Sequence, residues 1–286
     1  MNAAGQEVEG VSGGREVLIE IDGGIEEVLS AEPAIRSLQE TVGGKFNITV
    51  CAGDEGLFRN HPGVREIVNL RSWRGGRRFD MCWRLGRDGA GDGEGPLVDR
   101  YARRLGVHVK DRRPRIYLDG FDVLRMQRLA KRRPEQMRIV IGAGTSQEER
   151  AWDEGKWLAL CEYLAGRWGA DLVQVGDRGE RFFGYGRDLV GKLTAREAAT
   201  VVRNSDLLIG VDNGWRHLAG AVGRAAVVLA GSEGKAAMLE REGYCAVGVG
   251  AGESAVRDIA IEAVLDSAAR LGGREGFAGM ERAVCA

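Results

Sequence analysis

The chain has 286 residues, of which 44% are hydrophobic and 29% are charged, a composition typical of folded proteins and unlike that of disordered chains. Its longest apolar runs fall far short of the roughly 20 residues of a membrane helix, and its acidic amino terminus does not predict a secretory signal. The five cysteines are scattered and form no CxxC pair. Neither a zinc site nor a disulfide framework is indicated, so we expect a cytoplasmic protein.

Positive charge is concentrated in the middle of the chain. Residues 71–138 carry 19 Lys and Arg against nine Asp and Glu, a net charge of +10 in a chain whose total is −1. This asymmetry predicts a surface for an anionic partner, although a solvated arginine-rich face explains the composition equally well. Nucleic acid is the less favoured partner, because no recognised nucleic-acid motif accompanies the arginines.

Short β-rich runs alternate with longer helical runs, which predicts βα units and parallel sheets. In the first half of the chain, strands are expected at residues 17–21, 46–51, 66–70 and 79–83, with helices at 25–41, 97–105 and 121–133. In the second half, strands are expected at residues 138–141, 171–175, 207–211 and 226–229, with helices at 153–168, 195–203, 215–222 and 254–271.

This order predicts an α/β protein made of two Rossmann-like, doubly wound domains, residues 1–125 and 126–286. The domains face a cleft at the carboxyl ends of their strands, where ligands bind in such folds. The sequence leaves open whether the last helix packs on the second domain or returns to the first.

The segment LLIGVDNGWRHLAG, residues 207–220, is the strongest candidate for a binding site. A strand delivers Asp212, Asn213 and Gly214 to a turn, and a helix begins immediately. The free N–H groups and positive dipole end of such a helix can bind a phosphate. A routine helix cap explains the same pattern, and His217 is either a ligand contact or a packed core histidine.

The loop after residue 141 is the second candidate. It begins like a dinucleotide-binding fingerprint but lacks the third glycine, so that motif fails. It carries Thr145, Ser146 and Arg150, whose hydroxyl and guanidinium groups could hold a diphosphate. A solvated loop is the alternative interpretation.

The first βα turn, in EIDGGIEEVLS, is the third candidate. Glu20, Asp22, Glu26 and Glu27 lie within this short stretch, and a carboxylate at this point of a cleft can act as a general base. Carboxylates that complement the helix dipole would explain Glu26 and Glu27 equally well.

Taken together, these segments resemble the heptosyltransferase family, glycosyltransferase family nine, whose members have the GT-B fold. The resemblance covers about residues 17–271 and includes VLSAEPAIRSLQE, NHPGVREIVNL, PLVDRYARRLGV and the long block that contains LLIGVDNGWRHLAG. That block is the most specific, because family members usually carry Asp-Thr-Gly followed by His at this spacing.

The resemblance implies roles for particular residues. It places the family's catalytic aspartate on Glu27 and the preceding glycine on Glu26, so both positions depart from the family pattern. The family's phosphate-binding lysine falls on Arg150, and a nucleoside-contacting glutamate of some members falls on Arg196. The donor diphosphate loop and the histidine that follows it fall on Asp212, Asn213, Gly214 and His217.

The implied reaction is the inverting transfer of a heptose-like sugar from a nucleotide-diphosphate sugar, commonly ADP-heptose, to an anionic glycan or glycolipid acceptor of lipopolysaccharide. The resemblance implies no cofactor beyond this donor substrate and no metal. It implies a cytoplasmic protein or one peripheral at the inner membrane, without a nucleic-acid partner. The altered first turn leaves open an alternative, a catalytically silent GT-B module that binds a nucleotide or a protein partner.

Overall fold

A computed structural model of the chain describes residues 14–86, 95–145, 151–231, 246–249 and 256–272. The strands are β1 (Arg15–Ile21), β2 (Phe46–Ala52), β3 (Glu66–Asn69), β4 (Met81–Leu85), β5 (Arg138–Gly142), β6 (Asp171–Gly176), β7 (Arg187–Val190), β8 (Leu207–Val211), β9 (Ala226–Leu229) and β10 (Ala246–Val249). The α-helices are α1 (Ile25–Val42), α2 (Leu97–Leu105), α3 (Gly120–Leu129), α4 (Glu154–Gly166), α5 (Ala195–Arg203), α6 (Gly214–Ala221) and α7 (Ile261–Gly272). Short 3-10 helices cover Glu55–Phe58 and Val256–Asp258.

The strands form two parallel sheets, which confirms the α/β class. The first sheet has the order β3-β2-β1-β4, and the second has the order β10-β9-β8-β5-β6-β7. We call the first sheet with α1 and α2 the first lobe, and the second sheet with α4 to α7 the second lobe. The central strands β5 and β8 are buried along their whole length, as expected for parallel strands covered by helices on both faces.

The hydrophobic core connects the two lobes. One cluster of buried side chains includes residues of both sheets together with α1, α5 and α6, and a second cluster fills the other face of the second sheet beneath α4 and α7. Helix α1 packs against α6, and α3 packs against α5. The lobes are therefore in direct contact through their helices.

Helix α3 ends at Leu129, four residues earlier than predicted. The guanidinium of Arg138, which is fully buried, explains this end: its Nη1 donates to the Ala130 carbonyl and its Nη2 to the Lys131 carbonyl, each at 2.8 Å. The last carbonyls of a helix need hydrogen-bond donors from elsewhere. Because Arg138 supplies such donors here, the helix does not need a further turn to satisfy these carbonyls. The predicted domain boundary between residues 125 and 126 falls inside this helix.

Two further expectations differ from the structure. Strand β4 lies two residues later than predicted, because the backbone N–H of Asp80 bonds the Glu16 carbonyl and Met81 then pairs with Val17. The last helix, α7, packs against α4 and the strands of the second sheet, so it does not need to return to the first domain to bury its apolar face. Throughout the described ranges, no helix is both long and apolar enough to cross a membrane.

Candidate functional site

The first turns of α1 and α6 meet between the lobes. A methyl group placed on the α-carbon of Gly214 would lie 3.1 Å from the Cβ atom of Ile25, which is tighter than ordinary van der Waals contact. Gly214 begins α6, and Ile25 begins α1. The turn that follows β1 and the turn that follows β8 are therefore neighbours, as the sequence predicts for a cleft between two doubly wound domains.

Glu27 lies in this first turn of α1 and is buried, with 6% of its surface exposed. Its Oε2 atom accepts a hydrogen bond of 2.9 Å from the backbone N–H of Gly24, which satisfies one of the free donors of the helix start. The carboxylate also lies against Gly23, where an added Cβ would be 2.7 Å from Oε2. The backbone of the glycine turn thus fixes the orientation of Glu27.

The turn after β8 is fixed by its own side chains. Asn213 caps α6, because its Oδ1 atom accepts from the Trp215 N–H at 2.9 Å, while its Nδ2 atom donates to the Gly144 carbonyl at 2.6 Å. Asp212 is buried, and its Oδ1 atom lies 2.5 Å from Nε of Arg216 one helical turn later. These bonds join the α6 start to the loop after β5.

His217 faces Glu26 of the other lobe. Its Nε2 atom is 3.7 Å from Oε1 of Glu26, and the histidine is buried while Glu26 is 31% exposed. A small pocket lies beside this pair and is also lined by Ser30 and Arg112. Arg112 in turn donates to Asp99 at 2.8 Å.

The loop after β5 contributes Thr145, next to the Gly144 carbonyl that accepts from Asn213. Ser146 and Arg150, the two other predicted residues of this loop, lie outside the described residues. Among the described positions, the structure therefore brings together Glu27, Thr145, Asp212, Asn213, Gly214 and His217.

Arg196 has a different role from the predicted one. Its Nε and Nη2 atoms bond the carboxylate of Asp122 at 3.1 and 2.7 Å. Its Nη1 atom donates to the carbonyls of Gly56 and Arg59, and its Nη2 atom also donates to that of Tyr117. Since all five N–H donors of this guanidinium are used within the protein, a nucleoside contact is wrong for Arg196. The side chain instead joins α5 to α3 and to the first lobe.

Sequence reasoning gave no role to Glu32, a buried carboxylate one helical turn beyond the candidate base. Its Oε1 atom accepts from Nε of Arg36 at 3.0 Å and lies 3.2 Å from Nε2 of His61, and its Oε2 atom accepts from the Arg115 N–H at 3.0 Å. His61 receives the Gly63 N–H on Nδ1, which leaves Nε2 to donate to Glu32. The i, i+4 spacing of Glu32 and Arg36 in the predicted helix could have indicated this ion pair from the sequence.

Carboxylates also line the facing edges of the two sheets. Asp54 follows β2, and its pKa is raised by burial, by neighbouring Glu55 and by Asp177 of the second lobe. Burial also raises the pKa of Glu180, whose carboxylate lies directly over the α-carbons of Gly144 and Gly176. Within the described part of the chain, no group of three or more His, Cys, Asp or Glu side chains could hold a metal ion.

Comparisons with known proteins agree with this architecture. Residues 100–236 match the model of glycosyltransferase family 9 (heptosyltransferase). A glycosyltransferase family 9 protein of Veillonella parvula superimposes with a TM-score of 0.71 at 14% identity, over 90% of this chain and 97% of that chain. The ADP-heptose LPS heptosyltransferase II of E. coli gives 0.70 at 16% identity, over 90% and 98%.

The E. coli heptosyltransferase WaaC with ADP superimposes with a TM-score of 0.63 at 16% identity, over 90% of this chain and 99% of that chain. A segment of 76 residues is 30% identical to the pheromone-processing carboxypeptidase kex1 of Neosartorya fischeri. That segment covers 26% of this chain and only 12% of the carboxypeptidase, so it carries no argument about function. Residues 100–236 thus resemble glycosyltransferase family 9, and the chain shares the GT-B fold of these heptosyltransferases.

Proposed function

We propose that the protein transfers a heptose-like sugar, with inversion at the anomeric carbon, from a nucleotide-diphosphate donor such as ADP-heptose to a hydroxyl of an anionic glycan or glycolipid. The observation that supports this most is the contact between Ile25 and Gly214. It brings Glu27, the candidate base of the first lobe, next to the α6 amino terminus of the second lobe, the candidate diphosphate site.

In this reaction the acceptor oxygen attacks the anomeric carbon on the face opposite the diphosphate. A new C–O bond forms, the bond to the diphosphate oxygen breaks, and the acceptor proton passes to Glu27. The amides of the α6 turn and the Thr145 hydroxyl then stabilise the charge that grows on the departing nucleoside diphosphate. Ser146 and Arg150 would act on the same leaving group.

The contact between the lobes sets a condition on donor binding. Since even a methyl group at Gly214 would crowd Ile25, no phosphate fits between these two residues in the described state. The donor therefore requires either a separation of the lobes at this contact or an approach to the turn from the side of Thr145. Domain movement of this kind is the common behaviour of two-lobed enzymes.

The acceptor side of the proposal rests on the basic segment of the first lobe. Arg112 lines the pocket beside Glu26, although Asp99 lies against it and Asp111 lies 2.7 Å from Arg115. Neutralisation of Arg112 and Arg115 should weaken the binding of an anionic acceptor and reduce its salt dependence. Unchanged acceptor affinity would remove this part of the proposal.

Glu27→Gln tests the proposed base. The glutamine keeps the size of the side chain and an oxygen for the Gly24 N–H, but it cannot accept a proton, so kcat should fall about 100- to 10,000-fold. Glu40→Gln, an exposed change near the far end of α1, is the matched control and should leave turnover unchanged. Sugar transfer from ADP-heptose is measured by release of ADP, with the melting temperature recorded for each variant.

Full turnover by Glu27→Gln would show that Glu27 is not the base. The alternative of a catalytically silent module is favoured by Glu26, a carboxylate placed beside His217 near the candidate diphosphate site. That alternative predicts calorimetric binding of ADP without any ADP release from the sugar donor.

A further inference from the structure

The small pocket beside the Glu26–His217 pair opens next to the proposed base. Ser30 and Arg112 complete its polar lining, and every lining residue except His217 precedes β5 in the chain. Ser30 follows Glu27 by three residues on α1, and residues with this spacing are neighbours on a helix surface. A group held in this pocket is therefore close to Glu27.

The hydroxyl of Ser30 is the feature that points to a ligand. Only 4% of the surface of Ser30 is exposed. Within the part of the chain that the structure describes, no backbone or side-chain group forms a hydrogen bond with this hydroxyl. Buried hydroxyls of folded proteins are normally hydrogen-bonded. Because Ser30 lines the pocket, a substrate group in the pocket would supply the missing partner.

The wall of the pocket opposite Ser30 is fixed by α1. The Nη2 atom of Arg36, a buried residue of this helix, donates to the carbonyls of Asp111 and Arg113 at 3.1 and 3.0 Å. These two carbonyls lie on either side of Arg112, whose own guanidinium donates to Asp99 at 2.8 Å. The position of Arg112 is thus set before a substrate binds, which reduces the entropic cost of binding.

The charges of the lining select the kind of group that binds. Arg112 opposes a cation in the pocket, and Glu26 opposes an anion. A neutral hydroxyl group suits all three polar side chains, because it can donate to Glu26 and accept from both Ser30 and Arg112. Sugars present such hydroxyl groups.

We propose that this pocket binds one hydroxyl group of the acceptor sugar, and that Ser30 thereby determines which neighbouring acceptor oxygen reaches Glu27. The inference rests on the proposed sugar transfer and adds a specificity-determining residue to it. A hydroxyl of the donor sugar has the same chemistry. The acceptor is favoured because the pocket is lined almost wholly by the first lobe, whereas the candidate diphosphate site belongs to the second.

Ser30→Ala tests the pocket, with deacylated lipopolysaccharide as the acceptor probe. Calorimetric binding of this probe without donor should weaken about three- to tenfold, because one hydrogen bond is lost. With ADP-heptose present, the KM for the probe should rise by the same factor, while kcat and the KM for ADP-heptose stay unchanged. Ser37→Ala is the matched control, since Ser37 is a buried serine of the same helix outside the pocket, and it should behave like the wild type.

The melting temperature separates a binding role of Ser30 from a structural one. Its hydroxyl has no hydrogen-bond partner among the described residues, and alanine is the better helix former. Ser30→Ala should therefore melt at the wild-type temperature or above it, as should Ser37→Ala. A clear fall in the melting temperature of Ser30→Ala alone would show that the hydroxyl stabilises the fold and would overturn the proposal.

Unchanged binding of deacylated lipopolysaccharide by Ser30→Ala would also overturn it. A rise in the KM for ADP-heptose alone would overturn the acceptor assignment and place a donor hydroxyl in the pocket. If the wild type binds the probe but releases no ADP, the proposed reaction fails, while the binding comparison still decides the role of Ser30. A wild-type protein that does not bind the probe would contradict both proposals.

Discussion

Glu26 and Glu27 are adjacent in sequence but lie in different surroundings. The carboxylate of Glu27 is buried and held by the Gly24 N–H, whereas that of Glu26 is partly exposed and faces His217 of the second lobe. A side chain at position 26 therefore projects toward the candidate diphosphate site. Its negative charge opposes an anionic donor, while the pairing with His217 offsets part of that repulsion.

Glu26→Gln removes this charge and keeps the size of the side chain. We expect the KM for the sugar donor to fall about fivefold, which is the effect of one partly exposed like charge. The melting temperature should change little, because a partly exposed pair at 3.7 Å contributes little to stability. Steady-state kinetics with ADP-heptose measure this, with Glu40→Gln as the control, and a KM that rises would contradict the argument.

At the scale of elements, the contact between α1 and α6 is the structural basis of the site. Gly214 occupies the first position of α6, with a conformation that places its α-carbon against Ile25. Alanine is intrinsically better than glycine in a helix by about 1 kcal/mol. The Ile25 side chain therefore decides the sign of a substitution at Gly214.

Gly214→Ala should lower the free energy of unfolding by about 1 kcal/mol in the wild-type background, because the added methyl meets Ile25. In the Ile25→Gly background, which lacks the Cβ atom that the added methyl would crowd, the same substitution should be neutral or stabilising. The two single variants and the double variant form a thermodynamic cycle whose coupling should be about 1 to 2 kcal/mol. Urea unfolding provides the free energies, and strictly additive effects would show that the two helices do not touch in solution.

At the scale of the whole molecule, Arg196 forms an extensive polar link between the two halves of the chain, among the residues that the structure describes. It binds Asp122 and three backbone carbonyls that lie before or at the start of α3, and its side chain is 6% exposed. Such a buried ion pair with additional hydrogen bonds is costly to break by removal of one partner.

Arg196→Met should lower the free energy of unfolding by about 3 kcal/mol, because Asp122 and the three carbonyls lose their donors. Arg203→Met, at the exposed end of the same helix, should lower it by less than about 0.5 kcal/mol. Chemical denaturation followed by tryptophan fluorescence compares the two variants. Equal losses would refute the assignment of Arg196 as the link between the lobes.

Burial makes the charged form of Asp54 unfavourable in the folded protein. Its pKa is raised, chiefly by burial and then by Glu55 and Asp177, so the folded state disfavours its charged form. The resulting destabilisation is absent below the unfolded pKa of about 3.8 and develops as the pH rises through the folded value. Asp54→Asn should therefore stabilise the protein at pH 7 and have little effect at pH 4, as followed by thermal unfolding. An equal difference at both pH values would be inconsistent with a titration effect.

Most of the fold was predictable because its signals are local. Apolar runs bounded by glycine and proline located most of the strands, and the bounds of α2, α5, β8 and β9 agree with the prediction. The strands β7 and β10 were missed, since four residues such as RDLV carry little periodicity. The end of α3 was wrong because it depends on Arg138, a residue beyond the helix itself.

The site was predictable only in part, because its roles depend on contacts between distant segments. The positions of the turns after β1 and β8 led to the expectation that Glu27 lies near Asp212 and Gly214, and Ile25 and Gly214 of these two turns are neighbours. The same reasoning failed for Arg196, because its partners lie 74 to 140 residues away in sequence and nothing local to α5 reveals them. The catalytic and binding roles themselves stay predictions.

The hydrogen bonds from Arg138 to the Ala130 and Lys131 carbonyls have a practical consequence for dividing the protein into fragments. Consider a fragment that begins just before β5 and is meant to fold as an isolated second lobe. It would lack the Ala130 and Lys131 carbonyls, so the buried guanidinium of Arg138 would keep Asp171 but lose two of its hydrogen-bond acceptors. A fragment that contains the second lobe should therefore begin before residue 130, so that it keeps the Ala130 and Lys131 carbonyls that bind Arg138.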